Sequence, residues 1–330
     1  METRAGPHHA WLHTAAQTWL FLVGALTLLL SGGSAEAATS YRFTPVTLNV
    51  GEDPLQTFVI IRGMKSTGML VGQYVPEVGP GGTGRIGFRG LGSAFRMFPL
   101  LLPEAINEQN AVVGNFTDPF NLGAPEAGFV INGTTFQPIS ILGASVTRAY
   151  GVNNAGTIVG GATLMSDGRG RAFRLDADGT LTWIDPPFGT ALHYTARSIN
   201  NRGDIVGQQS SLGWALIGGV YGQIQMPGND GNTLPLTIND NREIGGYFCR
   251  LDETCSGFIL SNGVYQQIDV PGAFRSEVVA IHPKTGTIAV NANVADDGLR
   301  GYLGTKGGGS KPLATSEHLG AGGHAGPTLQ

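Results

Sequence analysis

The sequence predicts an all-β protein, a six-bladed β-propeller closed by pairing of its N-terminal and C-terminal strands. Three observations support this: a pattern repeated six times, two β-hairpins in most repeats, and a last repeat that lacks one strand. The last positions of the copies are 39 to 47 residues apart, a period typical of propeller blades. The copies span residues 63–72, 105–114, 151–160, 198–207, 237–246 and 280–290.

Each repeat predicts short strands joined by tight turns. The first hairpin turns on Asn and Gly, residues that adopt the positive φ values such turns need. A second hairpin follows in most repeats, with alternating apolar residues on each side of its turn. Two hairpins give four strands, which we call A to D from the axis to the rim. In the fifth repeat they are predicted at 234–238, 243–248, 256–260 and 264–268.

The two ends of the chain predict how the ring closes. The sixth repeat provides strands at 277–281, 287–291 and 300–304 but no strand D, while an additional strand is predicted at 41–48. We expect 41–48 to pair beside 300–304, which removes the exposed edges of a linear array. Because the first and last repeats are degenerate, five or seven blades and an open β-repeat array are the alternatives.

The first 37 residues are typical of a signal peptide. An apolar run at 19–30 is too short to span a bilayer and is followed by a small-residue cleavage site, Ala35-Glu36-Ala37. Cleavage before Ala38 predicts a secreted chain, extracellular or periplasmic, with a propeller at 38–305 and a flexible Gly-rich tail at 306–330. A non-cleaved anchor is the alternative interpretation.

Composition narrows the class of partner. Charged residues are 13% of the chain, the net charge is −4, and no basic stripe is present, so nucleic-acid binding is not predicted. No segment after the leader approaches the length of a membrane span, so none is expected in the mature chain. A glycan or a protein of the cell envelope is the expected partner.

Cys249 and Cys255 are the only cysteines, and in an exported chain they predict a disulfide that closes a small loop. Two free thiols are the alternative. A metal site is less well supported, because two ligands cannot fill a tetrahedral shell. No cofactor is predicted; acidic loops around Asp230 and around Asp296 and Asp297 leave calcium open, without a complete calcium motif.

Residues 198–207 and 257–272 resemble the repeat units of the HAF-repeat family of bacterial extracellular proteins. The resemblance extends over about 41–304 and implies an exported, repeat-built β protein with no defined catalytic residues. The namesake His-Ala-Phe is degraded here, for example to Ala127-Gly128-Phe129.

Several repeated residues predict structural roles. Asn153 and Asn200 are interpreted as turn formers, and Phe129, Phe173 and Phe258 as packing between blades. Glycines recur at one position, taken as the end of strand B, where we expect a neighbouring backbone to exclude a side chain. These structural glycines are Gly72, Gly114, Gly160, Gly207 and Gly246.

The loops predict which face binds a ligand. The A–B and C–D turns are tight, whereas the B–C and D–A loops on the opposite face are longer and more varied. Function tends to lie on irregular loops held by a rigid scaffold, so the B–C/D–A face is the predicted binding face. Its polar candidates are Asp167, Arg169, Asp185, His193, Asp230, Asp252, Arg275, Asp296 and Asp297.

The favoured hypothesis is a non-catalytic binding or scaffold module at the cell surface or in the extracellular space. No G-x-S-x-G, H-E-x-x-H or phosphate-loop motif is present, so no catalytic residue is predicted. The alternative is a propeller-fold polysaccharide hydrolase or lyase, with carboxylates or His193 at the axial mouth. Three or more ionisable side chains converging on one axial pocket would favour the enzyme.

Overall fold

The computed structural model describes residues 40–48, 58–75, 85–91, 94–117, 125–188, 193–295 and 298–307. These residues form 24 strands and, within those ranges, no helix, so none of them forms a helix able to cross a membrane. The predicted signal peptide, its cleavage site, Asp296, Asp297 and the tail from residue 308 onward lie outside the described residues.

The described strands form three four-stranded sheets and one 12-stranded sheet. Within the large sheet, two single parallel pairings join three antiparallel sets of four, so we call the six sets of four blades 1 to 6. The first three blades are β2 Phe58–Met64, β3 Leu70–Val75, β4 Ile86–Leu91 and β5 Ala94–Pro99; β6 Leu101–Ile106, β7 Val112–Phe116, β8 Ala127–Asn132 and β9 Thr135–Ile139; and β10 Ala144–Val152, β11 Ile158–Leu164, β12 Gly170–Leu175 and β13 Leu181–Ile184. Blades 4 and 5 are β14 Tyr194–Ile199, β15 Ile205–Gln209, β16 Leu212–Ile217 and β17 Val220–Ile224; and β18 Thr233–Ile238, β19 Ile244–Cys249, β20 Cys255–Ser261 and β21 Val264–Ile268. The predicted β-propeller is confirmed.

Blade 6 contains a strand from the other end of the chain. Its strands A to C are β22 Ala273–Ile281, β23 Ile288–Val294 and β24 Gly298–Lys306, and the fourth is β1 Tyr41–Pro45. β1 runs antiparallel to β24, with Tyr41 opposite Lys306, so the predicted closure is confirmed.

Several strand boundaries in blade 6 differ from the prediction. β1 stops at Pro45 instead of residue 48, although Val46 N still donates to Gly301 O of β24 at 2.8 Å. The side chains of Val46 and Leu48 are 8% and 1% exposed and belong to the core. β24 continues to Lys306, one residue beyond the predicted end of the propeller, because Lys306 still pairs with Tyr41.

In blades 1 to 5, a glycine of strand B lies opposite a buried aromatic residue of strand C. The pairs are Gly72–Phe88, Gly114–Phe129, Gly160–Phe173, Gly207–Trp214 and Gly246–Phe258. A Cβ at any of these glycines would overlap a backbone carbonyl oxygen of strand A, which confirms the predicted reason for glycine. The predicted position of these glycines at the end of strand B was wrong. Each glycine is the third residue of its strand, and the strand continues beyond it.

The aromatic residues of these pairs form the contacts between blades. All five are at most 1% exposed. Phe173 of blade 3 packs with Val113 and Ile139 of blade 2, and Phe129 of blade 2 packs with Val71 and Phe98 of blade 1. The predicted packing between blades is therefore confirmed for these phenylalanines.

Candidate functional site

Each inner strand of the propeller carries a β-bulge, and the bulged residues line the axis. The register of every A–B strand pair shifts around one residue of strand A. A bulge breaks the alternation of a strand and re-aims the extra side chain. The six bulged residues, one from each blade, together line a void of about 30 Å³. This axial ring consists of Arg62, Glu104, Tyr150, Arg197, Leu236 and Val279.

The axial ring has a polar half and an apolar half. Blades 1 to 4 contribute the arginines, the glutamate and the tyrosine, whereas blades 5 and 6 contribute Leu236 and Val279. Within the polar half, Arg62 Nε lies 3.7 Å from Glu104 Oε2. The guanidinium carbon of Arg197 lies 4.5 Å from the centre of the Tyr150 ring, which is a cation–π distance.

The electrostatics of the polar half leave a positive balance. Burial raises the pKa of Glu104 above its ordinary value, and the charges of Arg62, Arg197 and Arg85 oppose that rise. Burial also raises the pKa of Tyr150, so its phenol keeps its proton at neutral pH. Two guanidinium groups therefore face one carboxyl whose neutral form is favoured by its surroundings.

Among the described residues, one donor of Arg62 has no acceptor and Arg197 has no ion-pair partner. The buried Nε of Arg62 has no hydrogen-bond partner among the described residues, since Glu104 lies beyond hydrogen-bonding distance. Arg197 forms no ion pair with any residue that the structure describes, and its contact in the ring is the stack on Tyr150. Guanidinium groups in this state can bind an anion.

The axial ring also lines a larger pocket of about 140 Å³ that reaches the A–B turns. Turn residues such as Asn107, Asn153, Asn200 and Asn239 form its rim. The pocket therefore lies on the A–B turn face, opposite to the loops that the sequence analysis favoured.

Asparagine side chains at this rim link neighbouring blades. The Nδ2 atoms of Asn107, Asn153 and Asn200 donate to the carbonyl oxygens of Asn153, Asn200 and Asn239, at 2.9, 3.3 and 3.1 Å. Their Oδ1 atoms accept backbone N–H groups of their own turns, as from Thr157 to Asn153 at 3.0 Å. The predicted role of Asn153 and Asn200 in the turns agrees with these contacts, and the bond between blades is a role that sequence reasoning missed.

His282 takes the asparagine position in blade 6. Its Nδ1 lies 3.1 Å from two backbone N–H groups of its own turn, and its Nε2 lies 2.7 Å from the carbonyl oxygen of Ser66 in blade 1. These contacts fit a neutral imidazole with its proton on Nε2. Blade 1 reaches blade 2 through Lys65, whose Nζ donates to the carbonyl oxygen of Glu108 at 3.2 Å.

The first predicted loop-face candidates lie around blade 3. Asp167 and Arg169 pair with each other in its B–C loop, with Nε and Oδ2 3.8 Å apart. Asp185 accepts a hydrogen bond from Nε of Arg171 at 3.3 Å. His193 is exposed and forms a parallel bridge to the start of β12, at the junction of blades 3 and 4.

The remaining described candidates lie around blades 4 to 6. Asp230 lies in the loop between β17 and β18. Oδ1 of Asp252 accepts the backbone N–H of Thr254 at 3.0 Å, within its own loop. Arg275 lies in strand β22, so its predicted place in a D–A loop was wrong, because this strand begins four residues before its predicted start. It pairs with Glu277, 2.6 Å away, and lies over the Tyr247 ring at 4.6 Å. These local contacts give each residue a structural partner or a loop position, and a binding role for the set stays a prediction.

Cys249 and Cys255 form the predicted disulfide, with their sulfur atoms 2.04 Å apart. They lie opposite each other on β19 and β20. A disulfide is compatible with an extracellular or periplasmic location. Within the part of the chain that the structure describes, no group of three or more His, Cys, Asp or Glu side chains is placed to hold a metal ion.

A wider groove of about 850 Å³ lies between blades 2 and 3. Its walls include Ile139, Ile141 and Leu142, and Leu142 is 99% exposed. Its ionisable residue Asp176 is paired with Arg174 at 2.8 Å. The axial ring gathers more ionisable side chains in a smaller space, so it is the stronger candidate site.

Comparison with protein-family models and with curated proteins found no match. Among solved structures, virginiamycin B lyase from Staphylococcus aureus is 12% identical, with 80% of this chain and 88% of that chain covered and a TM-score of 0.42. The β-propeller domain of the Trilobed protease from Pyrococcus furiosus is 12% identical, with coverages of 76% and 96% and a TM-score of 0.49. The lectin of Aleuria aurantia is 14% identical, with coverages of 65% and 78% and a TM-score of 0.40. Similarity at this level carries no argument about function, and the HAF-repeat resemblance stays a prediction.

Proposed function

We propose that this protein is an exported binding module, acting at the cell surface or in the extracellular space, whose ligand enters the axial pocket. The observation that carries the proposal is the axial ring, where four inner strands aim Arg62, Glu104, Tyr150 and Arg197 at one void. Buried ionisable groups with shifted pKa values, gathered in a pocket, are typical of functional sites.

Two features support export. Residues 1–37 have the pattern of a signal peptide, and the Cys249–Cys255 disulfide is of a kind that persists in oxidising compartments. The resemblance to exported HAF-repeat proteins points the same way. A glycan or a protein of the cell envelope is the proposed partner.

The dimensions of the pocket favour binding over catalysis on a polymer. Three carboxyl groups line the pocket, but those of Glu108 and Asp240 at its rim accept hydrogen bonds from Ser66 and Asn201 of the neighbouring turns. Glu104 is the single carboxyl group of the axial ring, whereas most glycoside hydrolases use two carboxyl groups about 5–10 Å apart. A volume of about 140 Å³ is also below the roughly 300–1,000 Å³ of typical small-molecule sites. The pocket therefore suits one small chemical group better than a stretch of polysaccharide.

The second candidate is a propeller-fold polysaccharide hydrolase or lyase. The observation that favours it is the same convergence of four ionisable side chains, which meets the criterion set from the sequence for an enzyme. In that case Glu104 would act as general acid or base, because a raised pKa is a common property of catalytic carboxyl groups.

The test is a glycan array and a cell-envelope binding assay with the purified protein, run beside degradation assays on neutral and acidic polysaccharides. We expect saturable binding without turnover, strongly reduced by Arg197→Gln. Arg174→Gln is the matched control, since Arg174 pairs with Asp176 in blade 3 and does not line the axial ring.

Three outcomes would contradict the proposal. Absence of saturable binding would remove the binding function. Binding lost in Asp252→Asn but kept in Arg197→Gln would move the site to the loop face. Polysaccharide turnover that Glu104→Gln abolishes would replace the binding module by the enzyme.

A further inference from the structure

We propose that the axial pocket binds a small carboxylate that carries an apolar group. This inference rests on the proposed function and names the class of ligand. Two sources share this chemistry: a free short-chain organic acid, and the terminal carboxylate of a chain that ends in an apolar residue.

Arg197 provides the binding group for the carboxylate. A guanidinium group binds a carboxylate through two parallel N–H···O bonds, and no described acidic side chain occupies that position on Arg197. The Tyr150 ring, whose centre lies 4.5 Å from the guanidinium carbon, restrains the position of the guanidinium group. Glu104 interacts with both arginines but more strongly with Arg62, whose Nε lies 3.7 Å from it.

Leu236 and Val279 provide the apolar surface. Blade 5, which carries Leu236, is the next blade after that of Arg197, and the two A strands are linked by a 3.3 Å bond from Ile238 N to Ser198 Oγ. A ligand whose carboxylate lies on Arg197 therefore has its other end beside Leu236. Each methylene group buried there is worth about fourfold in affinity.

The same half-apolar ring disfavours other anions. A phosphate or sulfate would place oxygen atoms against Leu236 and Val279, where they find no donor and cost free energy. The volume of the pocket also limits the size of the ligand, because about 140 Å³ has room for only a few small groups. Burial that favours the neutral form of Glu104 reduces its repulsion of an incoming carboxylate. The two acidic side chains at the rim, Glu108 and Asp240, accept hydrogen bonds from Ser66 and Asn201.

Calorimetric titration of the purified protein with four probes tests the inference. We expect saturable binding of isovalerate, at least tenfold weaker binding of acetate, and no saturation with isovaleramide, which has a similar shape without the charge. N-acetylvaline distinguishes the sources: binding at least as tight as isovalerate indicates a chain end, and much weaker binding indicates a free acid.

Variants assign the binding to the ring. Arg197→Gln should weaken isovalerate binding by about tenfold to a hundredfold, because a charged hydrogen-bonding partner is lost. Arg197→Lys keeps the positive charge but cannot form the two parallel bonds. Its affinity for isovalerate should therefore lie between those of the native protein and Arg197→Gln. Leu236→Ala should weaken isovalerate but leave acetate unchanged, and Arg174→Gln should change neither. Near-UV circular dichroism confirms that each variant is folded.

Equal affinity for isovalerate and isovaleramide, or isovalerate binding that is unchanged in Arg197→Gln, would overturn the inference. The failure of the inference can be told from the failure of the proposed function. If the glycan array or the envelope assay shows binding that depends on the axial ring while all four probes fail, only the ligand class is wrong. If those assays fail as well, the binding function is also wrong.

Discussion

The junction that closes the ring is built differently from the junctions inside it. Between blades 2 and 3, 3 and 4, and 4 and 5, a repeated asparagine contact links the neighbouring A–B turns. A second bond accompanies it at each of these junctions, for example from Asn154 N to Asn201 Oδ1 at 2.8 Å. Between blades 6 and 1 the equivalent contact comes from His282, and β1 is paired with β24. Asn291 adds two further bonds to the backbone of Ile61, at 2.8 and 2.9 Å.

The difference follows from chain connectivity. The contacts between consecutive blades join residues 39 to 47 positions apart, which is one repeat. Asn291 and Ile61 are 230 residues apart in the sequence, and bringing them together costs more chain entropy. We infer that the closing junction compensates with a strand shared between the two chain ends.

Deleting residues 38–50 should have the largest effect on this comparison. The deletion removes β1 and the buried side chains of Val46 and Leu48. We expect loss of cooperative unfolding, or a decrease of at least about 5 kcal/mol in the free energy of unfolding, measured by urea titration. Arg42→Ala, at an exposed position of β1, is the control and should stay within about 0.5 kcal/mol of the native protein. An unchanged midpoint after the deletion would disprove the closure argument.

Gly160→Ala tests whether the internal blades require a residue without a side chain at this position of strand B. A Cβ there would overlap the carbonyl oxygen of Arg148 and approach the Phe173 ring, so we expect a loss of about 3 kcal/mol or more. Gly222→Ala is the matched control, because no atom lies within 4 Å of its added Cβ. The closing blade carries Val290 at the position of Gly160, opposite the half-buried Tyr302. Similar stability of both alanine variants, in urea titration, would contradict the steric explanation.

The stability losses of Asn291→Leu and Asn115→Leu compare a contact at the closing junction directly with a contact between internal blades. Asn291 accepts from the N–H and donates to the carbonyl of Ile61, whereas Asn115 accepts one bond, from Ala149 N at 2.8 Å. Both side chains are buried, so each lost bond leaves a backbone group unsatisfied at about 1–3 kcal/mol. We expect Asn291→Leu to lower the free energy of unfolding about twice as much. Equal losses would remove the distinction between the two kinds of junction.

Much of the fold could be predicted because its signals are local. The turns depend on residues such as Asn153 and on Gly156, whose φ is +81°. Such residues recur at regular spacing in the repeats. Ring closure could be predicted because one strand is missing at one end and one is left over at the other. The end of β1 could not be predicted from the sequence, because Val46 and Leu48 continue the pattern of a strand while their side chains pack into the core.

The axial ring was missed for a physical reason. A bulge inserts one residue into a strand, and a two-residue alternation gives no indication of where that residue points. The repeat copies as defined from the sequence begin at Gly63, Ala105, Gly151 and Ser198, each one residue after a bulged position. The available signal was the chemistry of that preceding position, which is charged or aromatic in four repeats within an otherwise small or apolar strand.

Tyr41→Phe should have the smallest effect and gives the closing junction a pH signature. Burial, with a further contribution from the negative charge of Glu243, raises the pKa of Tyr41 from 10.0 to about 12. Because the folded state holds this proton more tightly than the unfolded state, the stabilisation is complete below pH 10 and is lost as the pH rises through about 12. Urea titrations between pH 9 and 12 should therefore show the native protein losing stability relative to Tyr41→Phe. Parallel pH profiles of the two proteins would mean that β1 does not bury this phenol, and the closing strand would then lie differently against the ring.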